Sequence, residues 1–413
     1  MNKMSYMIAI PQCVEDIIDI DRIIHRIENS GFTELIDDAA EDTLRIKVTS
    51  DIEEYEASIS STDFEIPPMY RKQHFFTDID LESIQNNRLG VMIAMEFGDD
   101  SLNSYHTQLK IIETIVPNVV AVLDINAEKI ISGNWVRLAV KSSVPPSPKY
   151  IYTIQAILGD GDGVWLHTHG LNRCGLPEIE ILDSSKELYH CHSSVITTMA
   201  SRMLELDEPL EEKEPIYLAM MTDVIPLYAA LVDWREYVER SNYKKDHLGG
   251  LNDRKNSHNK DTMVICCFPT PKELEAKDPL PLFHFDGLFA EGNPLFMISS
   301  VETARIKALA AERVDYIRRF SNKPNTTVLV KIGLTVDEEF QNEANEHEHI
   351  WFELLSIDKD TLTGRLTQNP YYVKGMSEGS IGTYSFDQIT DWVILANDRQ
   401  YTPDDCYLLE LQK

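Results

Sequence analysis

The chain has 413 residues, 43% of them hydrophobic and 9% aromatic, which is enough apolar material for two or three domains with cores of their own. Its 68 acidic residues outweigh 38 basic ones for a formal charge of −30, which argues against nucleic acid or an anionic membrane as partner, since both require basic clusters. No run of eighteen apolar residues occurs, so no spanning helix is expected, and the N-terminus reaches Pro11 and then acidic residues, so no cleavable secretory signal is expected either. The six scattered cysteines, two of them adjacent, read as reduced thiols of a cytoplasmic protein.

In chain order, residues 5–10 read as a strand. Residues 14–27 read as an amphipathic helix with Ile17, Ile20, Ile24 and Ile27 on one face and Gly31 as its stop. Residues 44–48 and 55–60 alternate as strands. Between Glu15 and Glu65 sixteen acidic residues stand against four basic ones, so this opening carries much of the negative charge. A second unit follows: a strand at 89–97, a helix capped by Ser101 and closed by Pro117, a strand at 119–123, and a helical reading for 127–138. The acidic pairs Asp37-Asp38 and Asp99-Asp100 are expected in turns or at helix starts.

Ser143-Val-Pro-Pro-Ser-Pro148 is the clearest linker. Beyond it, 150–158 and 164–168 flank Gly159-Asp-Gly-Asp-Gly163 as a hairpin. Helices are expected at 195–206 and 226–240, and a long, exposed polar loop at 242–260. Pro279-Leu-Pro281 marks the start of the C-terminal domain, whose first helix opens with Ser299-Ser-Val-Glu302. The expected domains are 1–145 (acidic, α+β), 146–281 (central α+β) and 282–413.

Two constellations bear on chemistry. His167-Thr-His169 and His190-Cys-His192, with Cys174 nearby, supply four imidazoles that could bind zinc or a similar metal, with Glu178 and Glu180 as the nearest carboxylates. Their spacing matches no closed zinc motif, and a histidine pair in a strand can equally be structural. Gly375-Met-Ser-Glu-Gly379 has the form of a nucleophile elbow, but a strand follows it and no histidine occurs after His349, so it reads as a turn. Asp160-Gly-Asp162 lacks the glycine and glutamate of a calcium loop, and no phosphate loop or dinucleotide fingerprint is present.

The most specific stretch is the last. Residues 349–357, the segments around Gly364-Arg-Leu366 and Tyr371-Tyr-Val373, Gly382-Thr-Tyr-Ser-Phe386 and Trp392-Val-Ile-Leu395 suggest five short strands of a small, curved antiparallel sheet or open barrel. Glu348-His-Ile-Trp351, Gly364-Arg-Leu366, Asn369-Pro370, Ser377-Glu-Gly379 and Ile389-Thr-Asp-Trp392 carry a likeness. With the helix at 299–320 and the strand Val328-Leu-Val-Lys-Ile332, this last third resembles the YegJ-like domain, an uncharacterised family of mostly bacterial proteins. The upstream part, through His167-Thr-His-Gly-Leu171 and Gly175-Leu-Pro-Glu-Ile-Glu180, resembles an uncharacterised region that accompanies it. Neither resemblance implies a reaction, a ligand or a cofactor.

The expected fold class is therefore α+β and multidomain. A mixed or antiparallel N-terminal sheet with helices precedes a small, curved C-terminal antiparallel sheet with a leading helix. The expected function is a soluble binding or interaction protein, immunity-like or inhibitory in one version, whose acidic surface meets a basic protein partner. Trp351, Asn369, Tyr371, Tyr372, Asp391 and Trp392 are its candidate contact residues, with core aromatics as the competing reading. The alternatives are a metal-dependent hydrolase using His167, His169, His190 and His192, and a structural subunit of a larger assembly.

Overall fold

The structure is a computed structural model that describes residues 3–40, 43–50, 52–206, 209–241, 247–254, 261–341 and 346–411. It forms two compact units, one of Met1–Gly133 with Ser147–Ser299 and one of Asn134–Pro146 with Ser300–Lys413. The α+β multidomain architecture is the one the sequence suggested. Among the described residues, no helix is long and apolar enough to cross a membrane.

The first unit opens with β1 (Met4–Pro11), α1 (Glu15–Ile18), α2 (Ile20–Asn29), β2 (Thr33–Ala40), β3 (Thr43–Thr49), β4 (Glu54–Asp63) and β5 (Arg71–Lys72). It continues through α3 (Asp78–Asn86), β6 (Leu89–Glu96), α4 (Ser101–Ile115), β7 (Val119–Asp124), β8 (Lys129–Ser132) and the start of α5 (Gly133–Ala139). These strands form one sheet in the order β2-β3-β4-β6-β1-β7-β8-β5, antiparallel except for β5 with β8. Every residue of β7 is buried, as a central strand covered on both faces demands. Ile8, Ile10, Val120 and Leu123 pack with Phe64, Phe76 and Ile84 of α3. The buried helix α4 is tied to the sheet by Gln108, whose amide donates to the carbonyls of Ser5 (3.2 Å) and Ile93 (3.1 Å) and accepts from Ser5 Oγ at 2.7 Å.

The second sheet comprises β9 (Thr153–Leu158), β10 (Gly163–His169), β11 (Glu178–Ser185), β12 (Ile216–Met220), β13 (Pro226–Asp233), β14 (Thr262–Cys267), β15 (Leu280–Pro281) and β16 (Leu295–Phe296). Its order is β16-β12-β13-β14-β11-β10-β9, with β15 on β14 and a parallel pair between β11 and β14. Helices α6 (Tyr189–Glu205), α7 (Trp234–Arg240), α8 (Pro271–Ala276) and α9 (Asp286–Glu291) lie between its strands in the chain.

A buried charge cluster joins the two sheets. Asp124, at the end of β7, and Arg173, in the turn after β10, are both wholly inaccessible to solvent and meet bidentately at 2.8 and 2.9 Å. Lys129, equally buried, lies 4.0 Å from Asp124 and donates to the carbonyls of Tyr150 and Tyr152, while Arg173 also donates to the carbonyl of Ile151.

The second unit holds α10 (Ser300–Glu312), α11 (Val314–Phe320), β17 (Thr326–Thr335), β18 (His347–Ile357), β19 (Thr361–Leu366), β20 (Ile381–Ser385), β21 (Ile389–Ala396), β22 (Arg399–Tyr401) and α12 (Leu408–Leu411). Its wholly antiparallel sheet runs β20-β19-β18-β17-β21-β22. Alternate residues Val328, Val330 and Ile332, with Ile350, Phe352 and Trp392, form the core beneath the helices. Trp392 is fully buried, its indole N–H donating to the carbonyl of Ala310 at 3.1 Å.

Several expectations change. The helix of 14–27 is broken by Asp19, whose side chain caps α2 through Arg22 N, so Ile17, Ile23 and Ile27 are buried and Ile20 is 45% exposed. Asp100, not Ser101, caps α4. Asp37 and Asp38 lie in strand β2. Residues 127–138 contain β8 before α5, and 226–240 divide into β13 and α7. Residues 371–373 form no strand. Of the loop expected at 242–260, residues 242–246 and 255–260 lie outside the described residues, but Gly249, Gly250 and Arg254 are buried. Gly249 adopts φ +77°, and a Cβ there would stand 2.7 Å from Leu182 and 2.9 Å from Trp165, so this anchor requires glycine.

Replacing Arg173 with Met should strand a buried carboxylate and lower stability by about 3–5 kcal/mol, measured by urea denaturation. Burial lowers the Lys129 ammonium to about 7. Between that value and the ordinary lysine range the unfolded chain binds a proton that the native chain has shed, so this group makes stability rise with pH across that window. In Lys129→Met the rise should flatten; denaturation midpoints from about pH 7 to pH 9.5 check it.

Candidate functional site

The histidines do not converge. His167 is fully buried on β10, its ring centroid 4.3 Å from that of Trp165 and 4.9 Å from that of His169, as two residues apart on a strand allow. His169 Nδ1 lies 3.9 Å from a carboxylate oxygen of Glu128. His190 and His192 lie in the first turn of α6, where a spacing of two places side chains on different faces. His190 is exposed and packs on Tyr189 with ring centroids 3.8 Å apart, whereas His192 is fully buried. Among the described residues, no three His, Cys, Asp or Glu side chains are placed to hold a metal ion.

The nearby carboxylates are structural. Glu178 accepts from Thr168 Oγ1 (2.7 Å) and from the backbone N–H of Gly170 (2.7 Å) and Asn172 (3.1 Å). Glu180 accepts from Trp165 Nε1 (2.9 Å), Arg254 (2.7 Å) and Thr262 Oγ1 (2.9 Å), and the Arg254 guanidinium lies 4.1 Å from the Trp234 ring. Burial pushes both carboxyls upward, and these donors oppose the shift. Burial also raises the Cys174 thiol to about 11 and that of Cys266 to about 12, which disfavours the thiolate a metal or a nucleophile needs. All six cysteines are free.

Sequence reasoning overlooked one relay. His192 Nδ1 contacts Ser184 Oγ at 2.9 Å, and Nε2 contacts Asp286 Oδ1 at 3.2 Å. Serine, imidazole and carboxylate are thus chained in the order of a nucleophilic triad. Ser184, however, is only 4% exposed, so this chain fastens β11, α6 and α9 to one another.

The C-terminal contact candidates fall into three places. Trp392 belongs to the core. Trp351 and Asp391 flank Lys331 in register on the opposite face of the sheet, with the Lys331 ammonium 5.4 Å from the Trp351 ring; partial burial raises the Asp391 carboxyl. Asn369, Tyr371 and Tyr372 lie in the irregular stretch between β19 and β20.

This stretch forms an exposed surface site. Tyr371 is 81% exposed and Tyr372 42%. Their backbone N–H groups donate to the two oxygens of the buried Glu348 carboxylate at 2.7 and 2.8 Å. Asn369 Oδ1 accepts from Glu378 N at 2.9 Å, the carbonyl of Tyr372 accepts from Asp337 N at 3.0 Å, and Lys374 N donates to Asp337 Oδ2 at 2.6 Å. The Phe340 ring, in the turn that also carries Glu338 and Glu339, lies 5.8 Å from that of Tyr372, and Lys374 pairs with Glu339. The result is two exposed phenol rings on a backbone pinned from below, bordered by carboxylates. Glu348 was legible as the buried residue between exposed His347 and His349, a carboxylate at the inward parity of an alternating strand.

Against this geometry, three family models match the chain. Residues 5–146 match the N-terminal part of the protein of unknown function DUF4026, and residues 154–266 match its C-terminal part. Residues 301–403 match DUF2314, an uncharacterized protein conserved in bacteria. No curated protein and no solved structure matches the chain. The chain therefore consists of the N- and C-terminal domains of DUF4026, the uncharacterised companion region, followed by a DUF2314 domain.

Proposed function

We propose that the chain is a binding protein whose contact surface for a basic partner is the Asn369–Tyr372 stretch of its DUF2314 domain. The observation that carries this reading is the bidentate capture of the Tyr371 and Tyr372 N–H groups by Glu348. Exposed tyrosines lose binding energy when they must first be ordered, and here the backbone is ordered before any partner arrives. Asp337, Glu338 and Glu378, in the segments that hold this stretch, complement a Lys- or Arg-rich segment, and the phenol faces suit its cations or an apolar anchor beside them. Immunity-like or inhibitory action is one form such binding takes.

The test is a panel of Lys- and Arg-rich peptides, each with one Leu or Trp, measured by fluorescence anisotropy on the full chain. The double variant Tyr371→Ser, Tyr372→Ser keeps the net charge and should weaken the selected peptides by about tenfold or more, as loss of hot-spot aromatics does. Equal affinity in wild type and variant would mean that net charge alone attracts the peptides, and the site would be abandoned. Glu348→Ala should release both N–H groups, cost about 2 kcal/mol and speed amide exchange at Tyr371 and Tyr372, read by hydrogen exchange.

A further inference from the structure

The C-terminal unit contains a concave site of a different character. A cleft of about 380 Å³ lies between the stretch 134–142 and the segment formed by the end of α10, α11 and α12. Its size is that of a small-molecule site. Arg137, Lys141 and Arg313 line it together with Glu312 and Glu410, and Tyr316 and Tyr407 supply aromatic walls.

One of the two carboxylates is already matched by a cation. Glu410 pairs with Arg319 at 2.9 Å, and Arg319 lies over the Tyr316 ring at 4.4 Å. Glu312 accepts from the backbone N–H of Ser143 at 3.0 Å and from its hydroxyl. Arg313 is met differently. Arg313, only 8% exposed, donates to the carbonyls of Pro403 and Leu138 and to Ser142 Oγ, all of them neutral acceptors. Arg137 donates to the Asn134 amide oxygen at 2.7 Å, and Lys141 is exposed at the edge. A buried guanidinium held by neutral oxygens stabilises an incoming anion more than one already matched by a carboxylate. In a chain of charge −30 such a local excess of cations is against the general trend.

We propose that this cleft binds a small organic anion, a carboxylate or a phosphate monoester on an aromatic body, with the anion toward Arg313, Arg137 and Lys141 and the ring against Tyr316 and Tyr407. Arg137 and Lys141 belong to the stretch matched by DUF4026, and Arg313 and Tyr316 to the stretch matched by DUF2314. The site therefore exists only where both occur in one chain.

Calorimetric titration of the full chain tests this with phenyl phosphate, benzoate, inorganic phosphate and benzyl alcohol at matched ionic strength. Phenyl phosphate or benzoate should bind saturably at one site per chain, more tightly than inorganic phosphate, with benzyl alcohol inert. Lys141→Glu should weaken that binding by about tenfold, equivalent to about 1.4 kcal/mol. Lys359→Glu, an exposed cation of the same unit outside the cleft, should leave it unchanged. Thermal denaturation of both variants verifies folding. The proposal fails if neither aromatic anion binds saturably, if inorganic phosphate or benzyl alcohol binds as tightly, or if Lys359→Glu weakens binding as much as Lys141→Glu.

Discussion

Asp124 has no access to water, and the N-terminal unit is arranged around that fact. A carboxylate so placed is tolerable only when cations reach it with good geometry and their remaining protons find acceptors. Its cation is Arg173, from the turn beyond β10, and Lys129, from the strand after β7, stands 4.0 Å away. The protons left over go to the carbonyls of Tyr150, Ile151 and Tyr152, the backbone leading from one sheet to the other. Asp124 and Lys129 lie in the matched stretch 5–146 and Arg173 in 154–266, so neither part of DUF4026 satisfies its buried ions alone. The buried ion cluster therefore spans both matched parts of this compact unit.

The same rule recurs at smaller scale and explains how a polar segment is held. Arg254 donates to Glu180, Thr262 and the carbonyl of Gly249, and its guanidinium lies near the Trp165 and Trp234 rings. This draws a segment that composition marks as solvated loop into the core. Exposed ion pairs do much less. Arg45 with Glu56 and Lys47 with Glu54 form a ladder across β3 and β4 at 2.7 and 2.8 Å, yet each is half in water, where such pairs contribute little.

How far the sequence could be read follows from which signals are local. Clean alternation identified β3 and β4, β-branched and aromatic residues identified β18, and the Gly-Asp-Gly turn identified the β9–β10 hairpin, because pleat, side-chain preference and turn chemistry act over a few residues. Strand β13, Pro-Leu-Tyr-Ala-Ala-Leu-Val-Asp, was read as helix because a short apolar run has no distinguishing period and its alanines and leucines favour helix; pairing with β14 decided otherwise. Strand β2 was missed because Thr-Glu-Leu-Ile-Asp-Asp-Ala-Ala lacks alternation and gains its strand form from β3. The histidine pairs could converge only if 190 and 192 share a face, as in an extended segment ahead of the helix expected at 195; α6 instead begins at Tyr189 and takes both into its first turn. Asp124 with Arg173 and His192 with Asp286 were out of reach, since each joins residues about fifty or more positions apart that only tertiary structure brings together.

The surface left over has a physical logic of its own. A tyrosine on a loop ordinarily gains by folding down over nearby apolar surface, because its ring removes apolar area from water that way. Tyr371 instead stands 81% exposed, and what prevents collapse is the backbone beneath it, fixed by a carboxylate that cannot follow the ring outward. Glu348 is itself held by its parity on β18, between residues that face solvent, in a strand paired on both sides. Moving the loop would leave a buried anion with fewer donors, and that penalty exceeds what a single half-buried phenol returns. The sheet's pleat thus fixes the backbone of Tyr371 and Tyr372 through one carboxylate.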